Sequence, residues 1–174
     1  MNPIQQFDAE ALYLELARQI KAASSNLHNV AMVGIYSGGA WLAERLVKDC
    51  GIEQPVGYID VSFYRDDYAQ KGLPNEVRPT QIPFPVDDAT IILVDDVLYT
   101  GRTTRAAINE LFDYGRPARI LLASLVDRGG RQLPYAADFV AQTVLLADHL
   151  SLHLTRAGTD NRLALNLVEK ENDA

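Results

Sequence analysis

Cysteine is almost missing from this sequence. Cys50 is the only one in 174 residues, so no internal disulfide framework can form. That scarcity fits a reducing cytosol. Long hydrophobic runs are missing too. No stretch reaches the ~18 uninterrupted apolar residues of a membrane span, and Asp8, Glu10 and Glu15 interrupt the first apolar residues where a signal-peptide core would sit. We therefore expect a soluble cytoplasmic protein. Basic residues are in the minority, 16 Lys and Arg against 23 Asp and Glu, for a formal net charge of −7. This excludes a chain coated in positive charge for nucleic acid but leaves room for a local patch. Repeats and low-complexity tracts are absent, and neither a P-loop signature nor GxGxxG occurs, which disfavours nucleoside triphosphatase and dinucleotide-binding sites.

What is present is a chain with 48% apolar residues, enough for one sizeable core in one domain spanning 1–174. Two periods alternate along it. Asp8 can cap a helix over Ala9–Ala23, with Leu12, Leu16 and Ile20 on one face. Asn29–Ile35 reads as a buried strand, Trp41–Asp49 as a helix ended by Gly51, and Val56–Phe63 as another strand. Residues 64–88 break the rhythm with mixed charge, Gly and Pro. They read as a mobile functional loop, a short hairpin or a plain surface excursion. Thr90–Val94 is a strongly apolar strand that leads into Asp95-Asp96, a short loop and a helix over Arg102–Tyr114. Ile120–Val126 is the next buried strand, and this strand–helix–strand spacing implies a parallel sheet. Strands over Phe139–Leu146, Leu150–Leu154 and Leu163–Val168 follow.

The chemistry concentrates in Ile91–Thr104, IILVDDVLYTGRTT. An apolar strand delivers Asp95 and Asp96 to the carboxyl edge of a parallel sheet, where ligands of open α/β sheets bind. The Gly101 turn then opens a helix whose amides, with the hydroxyls of Thr100, Thr103 and Thr104, make an anion cradle. Acceptors for hydroxyl groups beside donors for a phosphate suit a ribose 5-phosphate. Each half alone has a bland counterpart, a solvated turn or a helix cap; their order after an apolar strand is more specific.

The run Val94, Asp95, Asp96, Val97, Leu98, Tyr99, Thr100, Gly101, Arg102, Thr103, Thr104 resembles the PRPP-binding motif of type I phosphoribosyltransferases. Its wording, with Tyr64-Arg65-Asp66-Asp67, Tyr114-Gly115-Arg116-Pro117 and Leu125–Gly129, is similar to the bacterial pyrimidine operon regulator/uracil phosphoribosyltransferase family over about 33–140. The resemblance implies an α/β fold with a largely parallel central sheet, helices on both faces and a small hood. It also implies that uracil and PRPP give UMP and pyrophosphate with Mg²⁺, held through PRPP rather than directly by the protein. Asp95 and Asp96 would hold the ribose hydroxyls and place negative charge near an oxocarbenium-like centre. Thr100–Thr104 would anchor the 5-phosphate.

By the same resemblance Ser37, Gly38 and Gly39 form the pyrophosphate loop. Gly38 stands where many relatives carry Arg, and Arg65, on a loop expected to close over the site around 66–80, could supply the missing cation. Asp127, Arg128 and Val140 would form the base pocket. From the residues alone, Ser37–Gly39 is also compatible with a tight turn and Asp127–Gly129 with a charged β-turn.

His149 and His153 are four apart, as in a helical zinc pair, but Leu150, Leu152 and Leu154 alternate with Ser151 and His153 in a strand period, and no ligand set is completed. Trp41 and Cys50 read as structural. Two further readings stay open: a transferase for a purine base, and a UMP-responsive regulator that binds pyrimidine leader RNA. For RNA, residues 101–131 hold six Arg against three acids, though part of that surplus falls in the presumed active site. A homodimer or higher assembly is expected.

Overall fold

The apolar runs form the interior of a parallel sheet. The computed structural model describes residues 6–61 and 79–170. Its elements are α1 (Ala9–Ser24), β1 (Val30–Ile35), α2 (Gly38–Asp49), β2 (Gly57–Ile59), β3 (Thr90–Leu98), α3 (Arg102–Phe112), β4 (Arg119–Asp127), β5 (Phe139–Thr143), β6 (Leu150–Ala157) and β7 (Arg162–Glu169). Five strands pair in the order β2-β1-β3-β4-β5, all parallel. The expected α/β architecture is what the chain adopts.

Strand period two splits the apolar residues between two cores. Met32, Ile92, Val94, Leu121, Ala123 and Leu125 face α1 and α2, meeting Tyr13, Leu16, Ile20, Leu42 and Leu46. Ala31, Val33, Ile91, Leu93 and Leu122 face the other way, onto Ala107 and Leu111 of α3 with Phe84 and Val86. Both faces are covered, so the central strands read as continuous apolar runs rather than alternating ones. The antiparallel hairpin β6-β7, in register from Leu150↔Glu169 to Ala157↔Arg162, adds Leu152, Leu154, Leu163 and Leu165 to the first core.

Several boundaries differ from the sequence reading. Asp8 caps α1 as expected, its Oδ1 accepting from the Ala11 N–H at 3.0 Å. The deeply buried face is Ala9, Tyr13, Leu16 and Ile20, with Leu12 only half-buried. Tyr13 can take the inner place because its hydroxyl donates to Asp49 on α2, which satisfies the polar tip of a buried ring. Helix α2 begins at Gly38 rather than Trp41, so Gly38 and Gly39 lie in its first turn. Strand β2 is short and ends at Ile59.

Strand β3 does not stop at Val94. Its pairing with β1 ends there, but pairing with β4 continues to Leu98↔Asp127, so Asp95 and Asp96 lie within the strand. Helix α3 ends at Phe112, and β5 at Thr143. The segment containing Arg65 and most of the expected closing loop lies outside the described residues. Among the described residues no helix is long and apolar enough to cross a membrane.

Candidate active site

Strand order fixes where a ligand can enter. From β1 the chain adds β2 on one side; β3, β4 and β5 add on the other. The crevice between the carboxyl ends of β1 and β3 is therefore the topological switch point. The segment after β1 is Ser37–Gly39, and the end of β3 carries Asp95 and Asp96. The structure brings together two of the groups expected from sequence.

Asp95 is 7% exposed, and its Oδ1 accepts from the Asp96 N–H at 2.9 Å. Asp96 is half-buried, and its Oδ1 accepts from the Val97 N–H at 2.9 Å. Local amide bonds to Oδ1 fix both carboxylate planes. Behind them the Ser124 hydroxyl donates to the Val126 carbonyl at 2.8 Å and to the Asp96 carbonyl at 3.3 Å.

The first turn of α2 lies directly against β3. A Cβ on Gly39 would come within 2.3 Å of the Val94 carbonyl oxygen, and a Cβ on Gly38 within 2.5 Å of Asp96 Oδ2. Only glycine lets the two elements approach so closely. The turn is braced from the β2 side. Tyr36 stacks on Tyr58 with centroids 5.2 Å apart, and the Tyr58 hydroxyl donates to Glu44 of α2 at 3.0 Å. Burial and that bond to Glu44 push the Tyr58 hydroxyl up to about 12.

On the other side of the carboxylates, Gly101 adopts φ +95 and starts α3. The opening amides of α3 have no carbonyl within the helix to bond, as at any helix start, and the Arg102 N–H turns to Thr100 Oγ1 at 3.2 Å. Thr104 is 1% exposed, and its buried hydroxyl has no hydrogen-bond partner among the described residues. A buried hydroxyl without a partner is costly unless something else completes it. Here it sits in the opening turn of a helix, where an anion would be welcome.

The segment following β4 packs behind this turn. Gln132 and Leu133 amides both donate to the Thr100 carbonyl, at 2.9 and 3.0 Å. Arg102 Nε donates to Gln132 Oε1 at 3.0 Å. Arg131 donates to the Tyr99 carbonyl, the Tyr135 carbonyl and Asp127 Oδ2. In the sequence the only local mark of this role is the pair of arginines around Gly129-Gly130.

The three residues expected at the base pocket lie on or beside the paired strands β4 and β5, each with its own set of contacts. Asp127 accepts from the Gly129 N–H at 3.0 Å and is ion-paired to Arg131 at 2.5 Å. Arg128 is 3% exposed. Its guanidinium stacks 3.8 Å from the Tyr99 ring centroid and donates to the carbonyls of Leu150 and Ala147 at 2.6 and 3.1 Å. Those donors tie the Asp127–Gly129 turn to the start of the hairpin. Val140 lies on β5, opposite Ser124, with its N–H and carbonyl both bonded by Gln19 of α1. His149 lies just before β6 and His153 within it, where the alternating leucines placed a strand.

Comparison with known proteins agrees with this geometry. A model of the phosphoribosyl transferase domain matches residues 5–151. The chain belongs to the phosphoribosyltransferase family.

The chain is 53% identical over 156 residues to a protein of Ralstonia nicotianae named Bifunctional protein PyrR, spanning 88% of this chain and 89% of that one. It is 48% identical over 150 residues to the protein of the same name from Nitrosococcus oceani, spanning 84% and 85%. Among solved structures, a purine phosphoribosyltransferase from Pyrococcus horikoshii superposes with a TM-score of 0.60 at 24% identity, over 79% of this chain and 83% of that one. A hypoxanthine-guanine phosphoribosyltransferase from Bacillus anthracis gives 0.64 at 14% identity, over 86% of both. At these identities the structural likeness shows the fold. In this phosphoribosyltransferase the switch-point crevice is flanked by two carboxylates on one strand end and two glycine-bearing helix starts.

Proposed function

We propose that this phosphoribosyltransferase transfers the ribosyl 5-phosphate of PRPP to uracil, forming UMP and pyrophosphate. The observation that carries the reading is the buried, unpartnered Thr104 hydroxyl in a helix start that follows directly on the Asp95-Asp96 strand end. One small region offers anion donors and carboxylate acceptors in the order a ribose 5-phosphate needs them. The pyrimidine base and the regulatory role are supported by the resemblance of Val94–Thr104 and its companion segments, and by relatives named Bifunctional protein PyrR.

In this reading Thr100–Thr104 bind the 5-phosphate, with Val97, Leu98 and Tyr99 carrying the chain from the carboxylates to it. Remote phosphate binding energy then positions the reacting carbon. Asp95 and Asp96 accept from the ribose hydroxyls. Their negative charge stabilises the cationic character that grows on the ribose as the bond to pyrophosphate breaks and the bond to the base nitrogen forms. Ser37, Gly38 and Gly39 present backbone amides toward the pyrophosphate, and Arg65 supplies the side-chain cation that Gly38 lacks. The base lies toward the Asp127–Gly129 turn and Val140. Mg²⁺, a hard ion that keeps waters and takes substrate oxygens, would be held through PRPP rather than directly by the protein, with a water shell that the Asp95 and Asp96 carboxylates suit. When bound with PRPP, that ion neutralises the leaving pyrophosphate.

Leader RNA is the second partner, bound through the exposed Arg105, Arg116 and Arg119 and tightened by UMP. The protein acts as a homodimer or larger assembly in the cytoplasm. PRPP-dependent nucleotide formation across uracil, hypoxanthine, guanine and orotate tests the enzyme. UMP as the sole product is expected, and a purine nucleotide would replace this reading. For RNA, each phosphate contact removed should lower the salt slope of binding by roughly one unit or slightly less. No binding of pyrimidine leader RNA at low salt, with or without UMP, leaves the catalytic role alone.

A further inference from the structure

We propose that Arg131 is a positioning residue that aims the amides of the phosphate cradle from behind, with Asp127 as its counter-ion. The proposal rests on the reading of Thr100–Thr104 as the 5-phosphate site. All three guanidinium nitrogens of Arg131 are engaged: NH1 with the Tyr99 carbonyl at 2.5 Å, Nε with the Tyr135 carbonyl at 2.8 Å and NH2 with Asp127 Oδ2 at 2.5 Å. The next peptide of the turn is held the same way, because the Thr100 carbonyl accepts from both Gln132 and Leu133.

A planar trans peptide points its N–H opposite to its C=O. Pinning the Tyr99 carbonyl toward Arg131 therefore turns the Thr100 N–H the other way, and pinning the Thr100 carbonyl does the same for the Gly101 N–H. These amides belong to the segment that leads into the α3 start. The supporting segment is packed tightly on the outside of the turn, since a Cβ on Gly101 would lie 3.1 Å from the Tyr135 ring and 3.3 Å from Leu133 Cβ. Arg131 holds the Tyr99 carbonyl, and its planar fork keeps three partners in one fixed geometry that the rotatable donors of a lysine do not impose. Asp127, bonded to Gly129 and Arg131, fixes the base of that fork.

The test is the ratio of UMP to uridine affinity, measured by calorimetry, because it isolates the phosphate. Wild type should favour UMP strongly. Arg131→Gln should lower that ratio by about tenfold, uridine affinity falling less than UMP affinity even though Asp127 loses its counter-ion, with Arg131→Lys between the two. In kinetics the KM for PRPP should rise more than the KM for uracil. An unchanged ratio in Arg131→Gln overturns the positioning role and leaves the cradle reading standing. Equal affinity of wild type for UMP and uridine overturns the cradle reading and the role with it. If Arg131→Gln does not fold, Arg131→Lys decides, and a wild-type ratio there overturns the proposal. A parallel fall in uridine affinity marks general collapse of the site and also counts against it.

Discussion

Gly38 and Asp96 are in contact with no space for a side chain between them. A Cβ on Gly38 would lie 2.5 Å from Asp96 Oδ2 and 2.9 Å from its Cγ. The Asp96 carboxylate fills the place a side chain at position 38 would start from. Gly39 has the same relation to the β3 backbone at Val94. Together they let a helix start and a carboxylate strand end share one crevice.

Gly38→Ala is therefore expected to move Asp96 without unfolding the protein, since a carboxylate can swing where a backbone cannot. We expect a loss of about tenfold or more in kcat/KM with PRPP, of the order found when reacting groups are misplaced by an ångström. Gly39→Ala meets a carbonyl instead, and should lower stability by about 1–3 kcal/mol. Steady-state kinetics and denaturant unfolding of both variants separate the two effects.

Asp95→Asn and Asp96→Asn keep side-chain size and remove charge. If both carboxylates stabilise developing positive charge on the ribose, each substitution should cut kcat by about a hundredfold, with the loss in kcat rather than in the KM for PRPP. Near-wild-type kcat in both variants would remove these residues from the mechanism.

Thr104→Val should separate stability from binding. The hydroxyl is buried without a partner, so replacing it by a methyl of the same shape should raise stability by about 1 kcal/mol. If Thr100–Thr104 bind the 5-phosphate, the same change should also weaken UMP binding, because a hydrogen-bond donor is removed from the cradle. Thermal unfolding with and without UMP reads both, and a variant less stable than wild type without ligand would contradict the unsatisfied state.

Glu10 links α1 to α2 and to β7. It accepts from Arg45 at 3.0 and 3.2 Å and from the Leu163 N–H at 2.9 Å. The Arg45 bond holds its carboxyl below the ordinary value of 4.5. A depressed folded value means that this stability is present above the unfolded value and is lost as pH falls through the folded one. Glu10→Gln should thus be less stable than wild type near neutral pH, by no more than about 1 kcal/mol for a partly exposed pair. The difference should shrink steadily below pH 4.5. A difference that persists at the lowest pH would assign the effect to packing.

The sheet was legible because its signals are local. Thr90–Val94 and Ile120–Val126 are apolar except for Thr90 and Ser124, a pattern that strands covered on both faces require. Asp8 and Gly101 mark helix starts by their own chemistry. The Asp95–Thr104 order was legible for the same reason, since a strand end, a turn and a helix start are consecutive in the chain. Where β3 ends was not, because that depends on β4 pairing on beyond the point where β1 stops.

The sequence by itself determined the alternation of strands and helices, the apolar faces and the run of carboxylates, glycine and threonines, each set by residues within a few positions of one another. Only the tertiary structure decided what long-range contacts decide. It turned the Arg128 guanidinium onto Tyr99 and the carbonyls of Ala147 and Leu150, joined Arg131 to the Tyr99 carbonyl 32 residues away, and pressed Gly38 of α2 against Asp96 of β3. The physical reason is that a side chain's partner is chosen by which backbone passes within hydrogen-bond reach, and that proximity is a property of strand order rather than of neighbouring residues.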